Sequence, residues 1–449
     1  MTRNCQPEDG APSLHRYANR RWFFGGKKSL PVSYNTWLDR FDLLDPVRLS
    51  AQLAAAKTVG CDVFVVDAGW FGSERGGWFE STGDWQEKPD GAFHGGLKQF
   101  ADEVRSAGLG FGLWMEPEHF GRKAPLRQQH PDWFLGGKQA GSPRFDLENP
   151  LACAYIEAEM RRLIETYQLA WIKFDFNIPL GIDEHGTELH HYYRSFFSVV
   201  DRLRQAYPQV MFEGCSSGAM RLELETLQHF DFHFISDNGN PYDVLRIGEG
   251  ALLRLPPGRL YRWSVGWFND LEHVVAFRAG PDQHEAFLTL SPYSWGPGLA
   301  FETIDLDFLV LFGFPGVLGF SGDLAGMPPK ALARLAEHTA FYKQWRDWLV
   351  DAYGHLLTPV RGIRDRDGWI VWQFCHSGDT ACLVAAYRLQ DIRPRQRFYL
   401  HDLLPDRSYT IRFYPDGKTK QVAMGSTLMV DGLEIELAQE GSARIYILE

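Results

Sequence analysis

The sequence has few cysteines, and none stands in a spacing typical of metal sites or redox pairs. Its six Cys are scattered over 449 residues without a CxxC motif, and no HxH or HExxH motif accompanies them. His190 and His191 are adjacent and point apart on a helix, so a solvated helix face explains them better than a metal site does. We therefore expect reduced thiols, no metal and no cofactor.

Excess positive charge and long apolar runs are also missing. The formal net charge is −11, which argues against a nucleic acid or an anionic membrane as partner. No apolar run reaches the length of a transmembrane helix. Residues 1–10 are polar and lack the hydrophobic segment of a signal peptide. Together with the scattered cysteines, these absences predict a cytoplasmic protein.

Aromatic residues, by contrast, are abundant. They make up 14% of the chain, with 15 Trp, which is ample for a large core. Sugar sites also use Trp, because the C–H face of a pyranose stacks on the ring. Packing is nevertheless the stronger interpretation for any single Trp. The length points to a large domain followed by a second one.

Strand-like and helix-like segments alternate through the first 350 residues. The strand candidates are mostly continuous apolar runs, typical of parallel strands buried on both faces. They lie at 31–37, 63–70, 110–117, 171–177, 210–218, 230–237 and 313–320. Helical periodicity marks 46–59, 97–107, 151–167, 192–207 and 330–350. This order predicts an α/β fold, a (β/α)8 TIM-type barrel, with 262–266 as the first choice for the remaining strand and 287–290 as the second.

Short alternating strands replace this pattern near residue 351. They are expected at 368–374, 381–387, 397–401, 408–414 and 443–448, with turns at 366–368 and 415–417. We therefore predict a lead-in segment at 1–24, a catalytic barrel at 25–350 and a C-terminal antiparallel β-sandwich at 351–449.

Two aspartates end strand-like runs. Asp175 ends the run that begins at Trp171, and Asp237 ends the run that begins at Phe232. In a β/α barrel, chemistry is done at the carboxyl ends of the strands. Two such carboxylates suit a retaining glycosidase, with one attacking the anomeric carbon and the other protonating the leaving oxygen. A helix cap is the usual alternative for a single aspartate.

A series of motifs resembles glycoside hydrolase family 36, the α-galactosidase family. The motifs run in order: 34–37 (Tyr-Asn-Thr-Trp), 66–72 (Val-Asp-Ala-Gly-Trp-Phe-Gly), 83–85 (Gly-Asp-Trp), 112–118 (Gly-Leu-Trp-Met-Glu-Pro-Glu), 130–133 (His-Pro-Asp-Trp), 173–177 (Lys-Phe-Asp-Phe-Asn), 213–218 (Glu-Gly-Cys-Ser-Ser-Gly) and 236–238 (Ser-Asp-Asn). The resemblance implies a barrel with Asp175 as nucleophile, Asp237 as general acid/base, and their carboxyl carbons about 5–7 Å apart.

The chain also departs from the family pattern. Ala68 stands where the family has a second aspartate, and Phe174 stands where it has Trp. The family's paired aspartates hold the O4 and O6 hydroxyls of galactose. The family's large N-terminal β-sandwich has no counterpart in this sequence, so we expect a member without it. The chemistry therefore resembles the family's more closely than the identity of the sugar does.

Other residues are candidates for holding the substrate, an oligosaccharide or glycoside. Lys173 is expected to bind a sugar hydroxyl or to form an ion pair, and Asp67 to accept hydroxyls or to cap its loop. Trp70 and Trp114 line the pocket or only pack. Arg221 contacts the substrate or pairs with Glu223. Glu116 and Glu118 are expected to support the site rather than react. The resemblance adds Asn177, Cys215, Ser217 and Gly218 to the substrate-binding set.

The predicted function is thus a retaining α-glycosidase of α-galactosidase type. A transglycosidase similar to raffinose or stachyose synthases, and a glycosidase for another sugar such as β-L-arabinopyranose, remain alternatives. A catalytically silent carbohydrate-binding barrel is a further one, and a metal-dependent hydrolase is disfavoured by the missing histidine pairs. The question of homo-oligomerisation stays open.

Overall fold

The computed structural model describes most of the chain, with short gaps. The described residues are 7–21, 29–72, 77–89, 92–93, 95–135, 143–179, 183, 185–266, 278–279, 285–286, 288–292, 301–415 and 419–449. By its contacts the chain divides into two compact units. The first unit is Val32–Phe234 with Ser321–Ala325. The second unit is Met1–Pro31, Ile235–Phe320 and Gly326–Glu449.

Eight strands form a closed barrel in the order β1-β8-β7-β6-β5-β4-β3-β2. Their bounds are β1 Ser33–Asn35, β2 Val63–Val66, β3 Gly110–Met115, β4 Trp171–Phe174, β5 Met211–Gly214, β6 Phe232–Phe234, β7 Leu260–Gly266 and β8 Val317–Gly322. The predicted (β/α)8 barrel is confirmed. The first choice for its uncertain strand is also confirmed, because β7 includes 262–266. The second choice partly overlaps the described strand Leu288–Pro292, which pairs with Phe301–Asp305 outside the barrel.

The barrel strands are apolar because both of their faces are covered. Every residue of β2, β4 and β7 is buried. In the parallel ladder of the first unit, Lys173 on β4 stands in register with Trp114 on β3 and with Glu213 on β5. This register places the side chains of Trp114, Lys173 and Glu213 side by side on three neighbouring strands.

Within the described residues, seven longer helices accompany the strands: α1 Ala11–Arg21, α2 Pro46–Val59, α3 Leu97–Ser106, α4 Pro150–Tyr167, α5 Glu188–Ala206, α6 Pro241–Leu252 and α7 Pro329–Leu349. Three of them begin in the same way. Asp45, Asn149 and Asn240 each cap a helix whose next residue is proline, and each side chain accepts a backbone N–H of the first turn.

Shorter elements fill the connections. The short α-helices are Trp37–Arg40, Trp78–Ser81, Leu126–Gln129, Leu224–Leu227, Leu306–Leu311 and Gly425–Val430, and the 3₁₀ helices are Pro7–Gly10, Pro131–Trp133 and Pro257–Arg259. Before residue 350, the described residues also form three strand pairs outside the barrel: Phe134–Leu135 with Arg144–Phe145, Arg278–Ala279 with Glu285–Ala286, and Leu288–Pro292 with Phe301–Asp305. Among the described residues, no helix is both long enough and apolar enough to span a membrane.

The C-terminal residues form antiparallel sheets, as predicted. The strands are β9 Tyr353–Leu356, β10 Trp369–Cys375, β11 Cys382–Arg388, β12 Arg395–Phe398, β13 Ser408–Tyr414, β14 Thr419–Met424, β15 Leu433–Glu436 and β16 Ser442–Leu448. Six of them form one sheet in the order β9-β10-β11-β16-β13-β14, and β12 pairs with β15. One apolar cluster, including Val371, Val384, Ile411 and Ile435, lies between these sheets as the sandwich core. The predicted turn at 415–417 lies mostly outside the described residues.

A buried arginine of β7 contacts this domain within the second unit. Arg262 is fully buried, and its Nη1 lies 3.4 Å from the carbonyl of Phe312 and 3.3 Å from that of Pro315. Its guanidinium carbon lies 5.5 Å from the ring centre of Trp372 on β10. Burial lowers the pKa of Arg262 to about 10. Carbonyl dipoles and an aromatic face therefore surround this charge.

The segment predicted to be a lead-in contains α1. His15 in this helix is fully buried between two other segments of the second unit. Its Nε2 donates to the carbonyl of Leu252 at 2.7 Å, and its Nδ1 accepts the amide of Gly354 at 3.0 Å. The helix thus packs against β9, an edge strand of the six-stranded sheet. The domain limits at residues 24 and 350 stay a prediction.

Candidate active site

Asp175 lies directly after β4, where the chain leaves the barrel wall. Asp175 is 9% exposed, and its carboxylate accepts hydrogen bonds from donors on neighbouring strand ends. Oδ1 accepts the amides of Phe176 at 2.8 Å and Ser217 at 3.1 Å. Oδ2 accepts Nε1 of Trp114 at 3.1 Å. Donors from three neighbouring strand ends therefore fix the orientation of this carboxylate.

The surroundings of Asp175 favour its charged form. Burial alone would raise the pKa of this carboxyl. The positive charge of Lys173 and the hydrogen bonds from Asn177, Trp114 and the amide of Phe176 act against burial and lower the pKa below its usual value. An ionised carboxylate is the state that a nucleophile requires.

Lys173 forms a buried ion pair with Asp67. Its Nζ lies 2.9 Å from Oδ2 of Asp67, and both side chains are 2% exposed. Burial would lower the pKa of Lys173, but Asp67 and the other nearby acids raise it well above its usual value. The same Oδ2 accepts Nδ2 of Asn35 at 2.7 Å, and Oδ1 accepts the amide of Ala68 at 2.9 Å. Asp67 therefore caps its own loop, and these three donors occupy most of the acceptor capacity of its carboxylate.

Glu213 is a member of this cluster that the sequence reasoning left without a role. It is fully buried on β5, beside Lys173 in the ladder, and its Oε2 accepts Nε1 of Trp171 at 2.7 Å. Burial raises the pKa of Glu213 to about 8, although Lys173 and Trp171 act in the opposite direction. The carboxyl is therefore mostly protonated at neutral pH. The signal that could have identified Glu213 is its position beside Lys173 on the neighbouring strand.

The loop after β5 brings a backbone amide to Asp175. Ser217 has a left-handed backbone (φ 44°) and Gly218 follows with φ 88°. The hydroxyl of Ser217 donates to Oδ1 of Asn177 at 2.8 Å. Cys215 is 9% exposed, and its amide bonds the carbonyl of Phe174 at 2.7 Å. The predicted residues of this loop thus lie next to the predicted nucleophile, and their contact with a substrate stays a prediction.

Arg221 pairs with Glu118, so the suggested pairing with Glu223 is wrong. Its Nη1 and Nη2 donate to the two oxygens of Glu118 at 2.7 and 2.9 Å. The guanidinium carbon also lies 4.2 Å from the ring centre of Phe176, and the side chain is 7% exposed. Glu118 further accepts the hydroxyl of Tyr192. These contacts hold the loop after β5 to the end of β3, and a contact of Arg221 with the substrate stays a prediction.

Glu116 has the matching role at the loop after β4. It is fully buried, and it accepts both the backbone amide and Nδ2 of Asn177. Burial raises the pKa of Glu116, with His119 acting in the opposite direction. The two acids at the end of β3 therefore support the loops around Asp175. That neither of them reacts stays a prediction.

The two predicted tryptophans have different surroundings. Trp114 is 1% exposed and donates its indole N–H to Asp175. Trp70 has no exposed surface, and its indole N–H bonds the carbonyl of Trp114 at 3.0 Å. It contacts Phe71 edge-on and lies tilted against Trp85. Aromatic packing covers the ring of Trp70, and a contact of this ring with a substrate stays a prediction.

Asp237 lies in the loop between β6 and α6, in the second unit, whereas Asp175 belongs to the first. The neighbours of Asp237 form a compact set of hydrogen bonds. The amide of Asn238 donates to Oγ of Ser236 at 3.0 Å, and the amide of Asn240 donates to Oδ1 of Asn238 at 2.8 Å. The 5–7 Å separation expected between the two aspartates stays a prediction.

The part of the chain that the structure describes contains no group of three or more His, Cys, Asp or Glu side chains arranged to hold a metal. His190 and His191 lie on α5 with ring centres 5.9 Å apart. What the site provides is an ionised carboxylate, oriented by hydrogen-bond donors and accompanied by the buried ammonium of Lys173. Such a group can attack an electrophilic carbon or stabilise a cation.

Two family models match the chain. The model described as Melibiase matches residues 13–264, which is more than half of the chain. The model described as Glycosyl hydrolase family 36 C-terminal domain matches residues 369–448. Together they cover barrel residues from both compact units and most of the C-terminal sandwich.

Individual proteins agree with these models. An α-galactosidase of Lactobacillus acidophilus is 30% identical over 355 residues, which is 76% of this chain and 44% of that protein. A solved α-galactosidase of Geobacillus stearothermophilus with raffinose has a TM-score of 0.77 at 20% identity, over 99% of this chain and 59% of that one. A solved β-L-arabinopyranosidase of glycoside hydrolase family 27 from the same species has a TM-score of 0.60 at 13% identity, over 97% of this chain and 98% of that one.

The matched curated relatives are longer than this chain. The chain spans between 32% and 44% of the length of the first curated relatives that it matches. At these low identities, the likeness to the solved structures extends to the fold alone.

Proposed function

Because this chain belongs to the melibiase family, glycoside hydrolase family 36, we propose that it is a retaining α-glycosidase of α-galactosidase type. The observation that carries the proposal is Asp175, buried at the end of β4 and kept ionised beside Lys173. The similarity to an α-galactosidase of Lactobacillus acidophilus supports the sugar class. The raffinose held by a structural relative supports an oligosaccharide as substrate.

In the proposed mechanism, Asp175 attacks the anomeric carbon while the bond to the leaving oxygen breaks. Asp237 gives its proton to that oxygen, and a β-glycosyl ester with Asp175 forms. Asp237 then takes a proton from water, which attacks the same carbon and releases Asp175. Two inversions give net retention. Trp114 and the amides of Phe176 and Ser217 orient the attacking carboxylate throughout.

Azide distinguishes the two aspartates. Asp175→Ala should lose activity by several orders of magnitude, and added azide should then give a β-glycosyl azide by direct inversion. Asp237→Ala should keep most activity on activated aryl glycosides only, and azide should then give the α-glycosyl azide. NMR of the first-formed sugar from the unmodified enzyme should show the α anomer. Release of the β anomer first would contradict the proposal.

Ala68 favours a second candidate, a preference for a sugar altered at C4 or C6. Its methyl group accepts no hydrogen bond, and Asp67 is already engaged by Lys173, Asn35 and the amide of Ala68. Each missing charge-assisted hydrogen bond corresponds to roughly 1.5–3 kcal/mol. β-L-arabinopyranose is galactose without C6, and the family 27 structural relative is named for it.

The test compares kcat/KM for an aryl α-galactoside and an aryl β-L-arabinopyranoside, in the wild type and in Ala68→Asp. We expect weak discrimination in the wild type and a shift toward the galactoside in the variant. A wild-type preference of roughly a thousandfold for the galactoside, about 4 kcal/mol, together with no change in Ala68→Asp would reject this candidate.

A sugar hydroxyl in place of water would make the enzyme a transglycosidase, and product analysis with raffinose and galactinol distinguishes the two reactions. The cytoplasmic location and the oligomeric state stay proposals, and cell fractionation and light scattering test them.

A further inference from the structure

We propose that Arg366, in the C-terminal domain, is a positioning residue for Asp237. The inference rests on the proposed role of Asp237 as general acid/base. Arg366 lies in the turn before β10, more than a hundred residues after Asp237 in the chain. Its side chain nevertheless reaches the loop that carries Asp237, and every contact in the following argument lies within the second unit.

The first contact is with the residue that starts α6. Nη1 of Arg366 donates to Oδ1 of Asn240 at 3.1 Å. Asn240 is fully buried, and the same oxygen caps α6 by accepting the amide of Tyr242 at 3.0 Å. The guanidinium carbon lies 4.6 Å from the ring centre of Tyr242. Arg366 thus fixes the junction between the loop and the helix.

The second contact of Arg366 is with Asp243, which is hydrogen-bonded to Asn238, the residue after Asp237. Nη2 of Arg366 lies 3.1 Å from Oδ1 of Asp243, and the two side chains are only 16% and 10% exposed. The other oxygen of Asp243 accepts Nδ2 of Asn238 at 2.9 Å. Asn238 in turn binds Oγ of Ser236 and the amide of Asn240. The residues on both sides of Asp237 are therefore connected to Arg366 through at most two side chains.

Helix α6 also binds the turn that carries Arg366. Arg246 on α6 is 2% exposed, and it donates to the carbonyls of Asp365 at 2.8 Å and Asp367 at 2.7 Å. Its third donor, Nη1, bonds Glu249 at 2.9 Å. Arg246 therefore fixes the backbone from which Arg366 projects. We call this reciprocal arrangement of Arg246 and Arg366 the arginine clasp.

The clasp bears on acid catalysis because a general acid must lie within hydrogen-bond reach of one oxygen. Asp237 lies in a loop, and the hydrogen bonds of Ser236, Asn238 and Asn240 fix the backbone on both sides of it. A displacement of about 1 Å can reduce a rate by roughly a hundredfold. Loss of Arg366 should impair proton delivery while leaving the attack by Asp175 intact.

The experiment is a leaving-group series on Arg366→Met, which keeps an aliphatic side chain and removes the donors. For glycosides with alkyl or sugar leaving groups, kcat/KM should fall by about 10- to 100-fold. For a dinitrophenyl glycoside, which needs no protonation, it should stay within about threefold. Arg366→Lys should restore part of the loss. Asp243→Asn, at the other end of the ion pair, should show the same pattern and serves if Arg366→Met folds poorly.

Arg361→Met is the matched control. Arg361 lies at the start of the same turn region and bonds the carbonyl of Asp367, but no described contact joins it to residues 236–243. It should leave the leaving-group dependence unchanged. Equal loss on all substrates in both Arg366→Met and Asp243→Asn, or no loss in either, would overturn the inference. Asp237→Ala is run in parallel, because a flat leaving-group series in that variant would reject the proposed function itself.

Discussion

At the scale of single residues, the charge of Asp175 depends on Lys173. Lys173→Met should raise the pKa of Asp175, because burial is then no longer opposed by a positive charge. A nucleophile with a raised pKa becomes active only at higher pH. The acid limb of the kcat/KM profile should therefore move to higher pH, and activity at the optimum should fall by roughly tenfold or more.

Lys98→Met is a suitable control, because Lys98 is 62% exposed on α3. Its pH profile should coincide with that of the wild type. An unchanged acid limb in Lys173→Met, with the protein shown to be folded by circular dichroism, would contradict the ionisation argument.

Glu213 supplies a prediction about stability and pH. Its pKa is about 8 in the folded protein and about 4.5 when exposed, so the folded state holds the proton more tightly. A group of this kind destabilises the fold as pH rises from about 4.5 to about 8, by up to about 1.4 kcal/mol per pH unit. Glu213→Gln should remove this slope. Urea unfolding at several pH values measures it, and equal slopes in both proteins would reject the assignment.

The sequence predicted some site residues better than others, for a physical reason. Alternation along a strand places Lys173 and Asp175 on one face, so their cooperation could be predicted locally. The pairing of Arg221 with Glu118 and the burial of Trp70 depend on loops that meet only after the barrel closes. Glu213 was missed because the role of a single acid in an apolar strand can be recognised only when its neighbour on the next strand, here Lys173, is known.

At the scale of elements, the helices with a proline-marked start were predicted almost to the residue. Asp45-Pro46 and Asn149-Pro150 combine a side-chain cap with a preset backbone angle, and both signals are local. Helix α6 has the same start at Asn240-Pro241 but was not predicted. Strand β14 was missed as well, because an exposed edge strand needs no apolar alternation. Helix α1 was missed too, because its segment was predicted to be a weakly ordered lead-in.

His15 shows what α1 contributes. Burial lowers the pKa of His15 to about 3, so the folded state excludes a proton that the unfolded chain takes up near pH 6.5. The contribution of His15 to the free energy of unfolding is complete above pH 6.5 and is lost as the pH falls toward 3. His15→Gln can keep one donor and one acceptor without titrating. The variant should lose less stability than the wild type between pH 6.5 and pH 4.

His15→Ala is the comparison variant. It leaves the carbonyl of Leu252 and the amide of Gly354 without this partner and should cost about 1–3 kcal/mol at pH 7, measured by urea unfolding. A neutral result for His15→Ala would show that α1 is dispensable for the sheet edge.

At the scale of the whole molecule, the second unit combines barrel residues with the C-terminal domain. Arg262 packs on Trp372, and the hydroxyl of Tyr387 donates to the carbonyl of Leu311 at 2.8 Å. We therefore expect α6, β10 and β11 to open in one cooperative step. Native-state hydrogen exchange should give these elements equal opening free energies. Protection of β10 and β11 that persists after α6 has exchanged would contradict this expectation.

The arginine clasp also has a consequence for how such proteins can be recombined. Its two halves lie in segments that the chain order separates, one at 238–249 and one at 365–367. A chimera that takes only one of these segments from a relative would lose the hydrogen bonds and the ion pair that join Arg246 and Arg366 to the other segment. We therefore expect the two segments to behave as a single heritable module, and enzyme designers who graft a new C-terminal domain should transfer both.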